Sequence, residues 1–186
     1  MFADSKQLLH DTTFRLPGRS LLGVVGPSGA GKSTLLNALA GFRPADQGAV
    51  HYAGRDFYAE YDELRRRIGY VPQADPQHAQ LTIRETLEYG AELRSPADTT
   101  ARERHARVEE VIGKLGLTAH ADTPVSRLSG GQKKRTPVAL ELLTRPSLLF
   151  LDEPTAITRI RPAAGGFRPA PARPASPAAP PVWPPA

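Results

Sequence analysis

Apolar positions along the 186 residues fall into two kinds of run. Short unbroken stretches mark strands: "SLLGVVG" (20–26) reads as a buried strand ending in glycine, and "SLLFLDEP" (147–154) as a second, fully buried one. "GAVHYAG" (48–54) reads as a strand beside a turn, and "RRIGYVPQ" (66–73) as a strand stopped by Pro72. Helical spacing fills most of the remainder. "KSTLLNALAG" (32–41) is built from good helix formers with a glycine placed to end them. In the middle of the chain three hydroxyl residues are each followed three positions later by Glu or Gln, the signature of a capping box: Thr82 with Glu85, Thr100 with Glu103, Ser129 with Gln132. The second box opens a helix with Val108, Val111, Ile112 and Leu115 on one face. Pro137 lies eight residues after Ser129, where a helix should be fully hydrogen-bonded, and predicts a kink costing about 3 kcal/mol. Buried strands carrying helices, with a helical stretch inserted at about 76–145, define an α/β core with an α-helical subdomain.

Composition then changes the picture at one end. Of the 27 residues from Ile160 to Ala186, nine are proline and eight alanine, too few large apolar groups to offset the entropy of ordering. The expected organisation is a domain over 1–158 and a disordered Pro/Ala/Arg-rich tail over 159–186. The same division explains the net charge of +5. Arg159, Arg161, Arg168 and Arg173 lie in the tail without an acid, so residues 1–158 carry only +1 and no nucleic-acid partner is expected. There is no cysteine, hence no disulfide or thiolate metal site. No run approaches the roughly 18–20 apolar residues of a membrane span, and the N-terminal segment has no apolar signal core, so a cytoplasmic setting is expected.

The chemistry begins at "GPSGAGKST" (26–34), which fits G-x-x-x-x-G-K-[ST]. Gly26, Gly29 and Gly31 allow a tight loop whose N–H groups can face phosphate oxygens, and the following helix adds its positive end. Lys32 would hold the outer phosphates and the Ser33 hydroxyl would ligate Mg²⁺. At "LLFLDE" an apolar strand delivers two carboxylates to its C-terminal edge. Asp152 would face the metal and Glu153 could polarise a water as general base. In "LSGGQ" (128–132) two glycines sit at a helix start, each costing about 1 kcal/mol of helix stability. Their backbone N–H groups are open to a close anion, so Ser129, Gly130, Gly131 and Gln132 form a candidate second phosphate contact.

Taken together these residues resemble the ATP-binding cassette (ABC) ATPases, over roughly residues 7 to 155. Gly26, Pro27, Ser28, Gly29, Ala30, Gly31, Lys32, Ser33 and Thr34 are similar to the family's Walker A motif, "YVPQ" with Gln73 to its Q-loop, "LSGGQ" to its signature, and "LLFLDEP" to its Walker B strand. The run "SGGQKKRTPVALELLTRPSLLFLDEPT" (129–155) is similar to the G-type exporters and to bacterial relatives carrying forkhead-associated domains. The resemblance implies a P-loop NTPase core, ATP and Mg²⁺ as cofactors, Glu153 and Gln73 as catalytic residues, and Ser33, Gln73 and Asp152 around the metal. It also implies two partners. One is a second ABC ATPase domain, whose P-loop would meet Ser129, Gly130 and Gly131 in trans. The other is a transmembrane permease, which would hold the chain on the inner face of the cell membrane.

The chain departs from the family pattern after "LDEPT". "AITRIRP" stands where a loop ending in Leu-Asp is usual, and all five histidines precede Glu153, so the D-loop and the switch histidine of the family are lacking. Near the start, only Phe2 stands close to the place of the aromatic that stacks on adenine. The resulting expectation is an incomplete core without its C-terminal strands: an ABC transporter ATPase subunit in truncated, weakly active form. A non-catalytic remnant and a soluble ABC ATPase acting on nucleic acid or ribosomes are the alternatives.

Overall fold

A computed structural model describes residues 9–73 and 78–152, together with the backbone of residues 2–3 and 6–7, which pair as an antiparallel hairpin, β1 (Phe2–Ala3) and β2 (Lys6–Gln7). Residues 153–186, which hold Glu153 and the tail at 159–186, lie outside the described residues.

Helix α1 (Lys32–Leu39) follows the glycine-rich loop and stops where the sequence provides for it. Gly41 takes φ 77°, the left-handed conformation that ends helices, and a Cβ there would lie 2.4 Å from the Tyr61 ring and 2.7 Å from that of Phe57. Phe57 is fully buried, edge-to-face with Tyr52 and Tyr61. Two phenols finish the helix: Tyr58 donates to the Ala38 carbonyl at 2.9 Å and Tyr52 to that of Leu39. Burial pushes the Tyr52 phenol up, so it remains a donor. These tyrosines come from the hairpin β3 (His51–Tyr52) and β4 (Arg55–Asp56), whose turn places Ala53 and Gly54 at φ 52° and 81°, and from the segment leading into α2 (Tyr61–Leu64). The strand expected near residue 50 is thus the first arm of a short hairpin.

β5 (Ile68–Val71) ends immediately before Pro72 and pairs in parallel with β6 (Leu148–Leu151), Tyr70 opposite Phe150 and Val71 opposite Leu151. Among the described residues this is the whole parallel sheet, and two expectations are corrected by it. Residues 20–26 form no strand, and Leu21 and Val25 are 78% and 92% exposed. A two-sided strand acquires burial and ladder bonds only from neighbours, and no described strand lies beside this run. For the same reason β6 is not fully buried: Phe150 is, while Leu148, Leu149 and Leu151 are half-buried on a strand paired along one edge.

The helical middle matches its pattern closely. All three capping boxes form, opening α3 (Ile83–Arg94), α4 (Ala101–Lys114) and α5 (Gly130–Leu142). Val108, Val111, Ile112 and Leu115 are all buried, in one cluster with Ile83, Leu87 and Ala91 of α3 and Val138 and Ala139 of α5. Helix α5 runs through Pro137 to Leu142 as one element. The ring removes one ladder donor, but neighbours hold the helix from outside. Pro137 is itself buried, the Arg135 guanidinium donates to the Leu115 carbonyl at 3.1 Å, and Arg107 of α4 caps the far end by donating to the carbonyls of Leu142 and Leu143. Arg84 ties the start of α3 to Glu109 of α4 and, at 2.8 Å, to Asp122.

Candidate functional site

The phosphate loop takes its shape from glycines in left-handed conformation, Gly29 at φ 78° and Gly31 at φ 85°, the latter as N-cap of α1. The loop is closed by Ala30 N–H donating to the Pro27 carbonyl at 3.3 Å, and the helix is entered by Leu35 N–H donating to Gly31 at 2.9 Å. Pro27, Ser28 and Ala30 line the exposed outer side, while Lys32, Ser33 and Thr34 form the first turn of α1. Lys32 folds back over the loop and donates from Nζ to the carbonyls of Gly26 (2.9 Å) and Pro27 (2.8 Å). The ammonium therefore already hangs over the turn, held by weak neutral acceptors that a charged phosphate oxygen would outcompete.

The structure joins the P-loop to the acidic strand end. Ser33 Oγ donates to Asp152 Oδ1 at 3.2 Å, and Asp152 is fixed in turn by its own N–H, which donates to the Val71 carbonyl at 3.0 Å. A hydroxyl and a carboxylate at this separation are the oxygen donors that suit Mg²⁺, a hard cation usually held by one or two protein oxygens together with substrate phosphates. No cluster of three or more His, Cys, Asp or Glu that could hold a metal ion occurs among the described residues. The parallel register carries Gln73 to the same edge, two positions past Val71 as Asp152 is one past Leu151. Glu153, expected as the general base, lies outside the described residues.

The signature stands apart from this centre, at the free start of α5. Ser129 Oγ accepts from Gln132 N–H at 3.4 Å, and Gln132 Oε1 accepts from Ser129 N–H at 2.8 Å. The opposite end of α5 reaches the sheet, where Glu141 Oε2 accepts from Tyr70 N–H at 3.3 Å and Oε1 from Arg94 at 2.8 Å. At about 1.5 Å per residue, Gly130 is roughly 16 Å along the helix axis from Glu141. A Cβ on Gly130 or Gly131 would meet nothing within 4 Å, so this chain's own packing does not require either glycine.

Two residues that the sequence pattern did not single out also belong here. Tyr70 donates from its hydroxyl to Asn37 Oδ1 at 3.2 Å, joining β5 to α1, and burial and then the Asp152 carboxylate push its phenol up. The one legible sign was that Asn37 lies four positions after Ser33, on the same helix face.

A glycine-rich loop opening a helix, joined by a serine hydroxyl to the carboxylate at the end of a parallel strand, defines a P-loop nucleotide-binding protein. The family model described as "ABC transporter" matches residues 9–156. The chain is 51% identical over 151 residues to the ABC transporter ATP-binding/permease protein Rv1747 of Mycobacterium tuberculosis, covering 81% of this chain and 18% of that protein. It is 36% identical over 160 residues to ABC transporter G family member 1 of Dictyostelium discoideum, covering 82% and 20% respectively. Among solved structures it superposes on cbiO1 from Clostridium perfringens, part of the ABC transporter complex cbiONQ, with a TM-score of 0.63 and 32% identity over 71% of this chain and 53% of that one. The chain belongs to the ABC transporter family, as an ATP-binding domain of the ABC ATPase class. It spans about a fifth of the length of the two relatives named.

Proposed function

We propose that this chain binds Mg-ATP at the loop 26–34 and serves as the ATP-hydrolysing part of an ABC transporter. The observation that supports this reading most is the contact between Ser33 and Asp152, a hydroxyl at the start of α1 donating at 3.2 Å to the carboxylate just past β6. Gly26, Gly29 and Gly31 shape a loop that wraps phosphate, Lys32 exchanges its carbonyl acceptors for phosphate oxygens, and Ser33 and Asp152 supply oxygens to the ion. Bound Mg²⁺ would neutralise charge on the outer phosphates as they separate. Glu153 takes a proton from the attacking water, and Gln73, carried by β5 to the same edge, orients that water.

Ser129, Gly130, Gly131 and Gln132 act on the P-loop of a second ABC ATPase domain. Support comes from the open space around both glycines and from their position at the exposed start of α5. A permease partner is the second contact. Tyr89 and Leu93, one turn apart on α3, are 55% and 86% exposed and offer an apolar stripe for it. No described helix is long and apolar enough to cross a membrane; the permease partner would hold the chain on the inner face of the membrane. Alone, the chain binds Mg-ATP weakly and turns it over slowly, because the run 20–26 that leads into the phosphate loop is not held in a described sheet.

Retention on immobilised ATP with and without Mg²⁺ tests the reading. Retention that depends on Mg²⁺ and is lost in Lys32→Ala is expected, and retention indifferent to that substitution would overturn it. Steady-state turnover at ordinary enzyme rates, abolished by Lys32→Ala or Glu153→Gln, would refute the weak activity.

A further inference from the structure

Helix α1 touches the sheet edge at two polar points, and only one of them belongs to the phosphate loop. Ser33 reaches Asp152 at the end of β6, while one turn further on the same face Asn37 accepts from the Tyr70 hydroxyl of β5 at 3.2 Å. The strands carrying the two partners are locked in register, Tyr70 opposite Phe150 and Val71 opposite Leu151, with Asp152 N–H donating to the Val71 carbonyl at 3.0 Å. Tyr70 is held on its remaining sides. The Phe42 ring meets it edge-on, centroids 4.8 Å apart, and its N–H donates to Glu141 of α5. Asparagine is a poor interior helix residue, and at position 37 its side-chain oxygen has a specific partner.

We propose that Tyr70 and Asn37 form a positioning pair that sets where α1 sits along the sheet edge, and hence the spacing of Ser33 Oγ and Asp152 Oδ1 that receives the metal. The inference rests on the assignment of those two oxygens to Mg²⁺. Neither residue of the pair lies in the loop 26–34 or supplies one of the two oxygens. Their effect is therefore specific: without the bond the loop still wraps phosphates, but the two oxygens lose their fixed separation, and the share of affinity contributed by Mg²⁺ falls.

The test is the dissociation constant of ATP measured with Mg²⁺ and with EDTA on the full chain, for wild type, Tyr70→Phe, Asn37→Ala and the double variant. Tyr70→Phe keeps the ring against Phe42, and Asn37→Ala removes the acceptor without altering the tyrosine, so loosened packing in one variant does not compromise the other. The Mg²⁺-dependent gain in affinity is expected to fall roughly fivefold in each single variant and no further in the double, with the EDTA value unchanged. An unchanged gain in both single variants, equal weakening with and without Mg²⁺, or additive losses in the double variant would overturn the pair. Failure of the wild type to gain affinity from Mg²⁺ is a different result, and refutes the metal assignment beneath it.

Discussion

Ser33 and Asp152 stand 119 residues apart in the chain and 3.2 Å apart in the structure, the serine hydroxyl donating to the aspartate. That one bond ties the phosphate loop to the sheet. Asp152, one residue past β6, thereby joins β5, through its N–H, to α1, through its carboxylate.

Removing the Ser33 hydroxyl or the Asp152 charge should therefore separate metal dependence from phosphate binding. In Ser33→Ala and Asp152→Asn the Mg²⁺-dependent part of ATP affinity should fall at least roughly tenfold, while affinity in EDTA stays close to wild type. Titration calorimetry with and without the metal would show it. Equal weakening under both conditions would mean that the pair only holds the fold.

Gly41 and Gly69 are glycines for reasons internal to the chain. At Gly41 a side chain would combine a left-handed backbone with collision against the Tyr61 and Phe57 rings, and Gly41→Ala should cost about 2–4 kcal/mol. At Gly69 a Cβ would lie 2.8 Å from Leu149 Cδ1 and 3.2 Å from both Glu141 Cβ and Pro146 Cγ, so Gly69→Ala should cost about 1–3 kcal/mol. Urea denaturation would measure both.

The signature glycines should behave oppositely. With open space where their side chains would be, Gly130→Ala and Gly131→Ala should stabilise the isolated chain by up to about 1 kcal/mol each. The same substitutions should abolish ATP-dependent association with a second ABC ATPase domain, read by sedimentation. A loss of stability instead would show that the glycines serve this chain's own packing.

Acid should loosen two of the three capped helices. Hydrogen bonds from the backbone and hydroxyl of Thr82 lower the Glu85 carboxyl below its ordinary 4.5, and those from the hydroxyl and backbone of Thr100 do the same for Glu103. Lys114 and then Arg107 bring Glu110 down to about 2. A carboxyl depressed in the folded state stabilises fully above its unfolded value, and that stabilisation is lost as pH falls through the folded one. Melting temperature should therefore decline below about pH 4.5. In Glu85→Gln/Glu103→Gln the decline should be shallower, with little change at neutral pH, since Gln132 closes the same box in α5. An identical slope in the variant would rule out these two caps as its source.

Features fixed within a few residues were legible from sequence. Ser129 and Gln132 cap α5, Val108 and Ile112 face the core, and Pro72 ends β5, because each depends on spacing along one segment. The glycine turn before α1, with Gly29 and Gly31 in left-handed conformation, is legible for the same reason. Leu21 and Val25 were misjudged because a strand's burial is conferred by its neighbours, and no apolar run declares which strand will lie beside it. The pairing of Tyr70 with Asn37 is not legible in the sequence because they are 33 positions apart, and each alone is ordinary in its element.

The first turns of the α-helices carry a sorting of charge. Asp62 and Glu63 stand there in α2, Glu85 in α3 and Glu103 in α4, whereas α1 and α5 have no acid in that turn. Helix starts draw anions through their amide dipoles, and a carboxylate on the spot occupies that attraction in advance. By closing its box with a neutral amide, α5 keeps the geometry of a capped helix and leaves its positive end unspent. Of the five α-helix starts described, two thus keep their amide dipoles free of a first-turn carboxylate, one behind the phosphate loop and one behind the signature, and three do not.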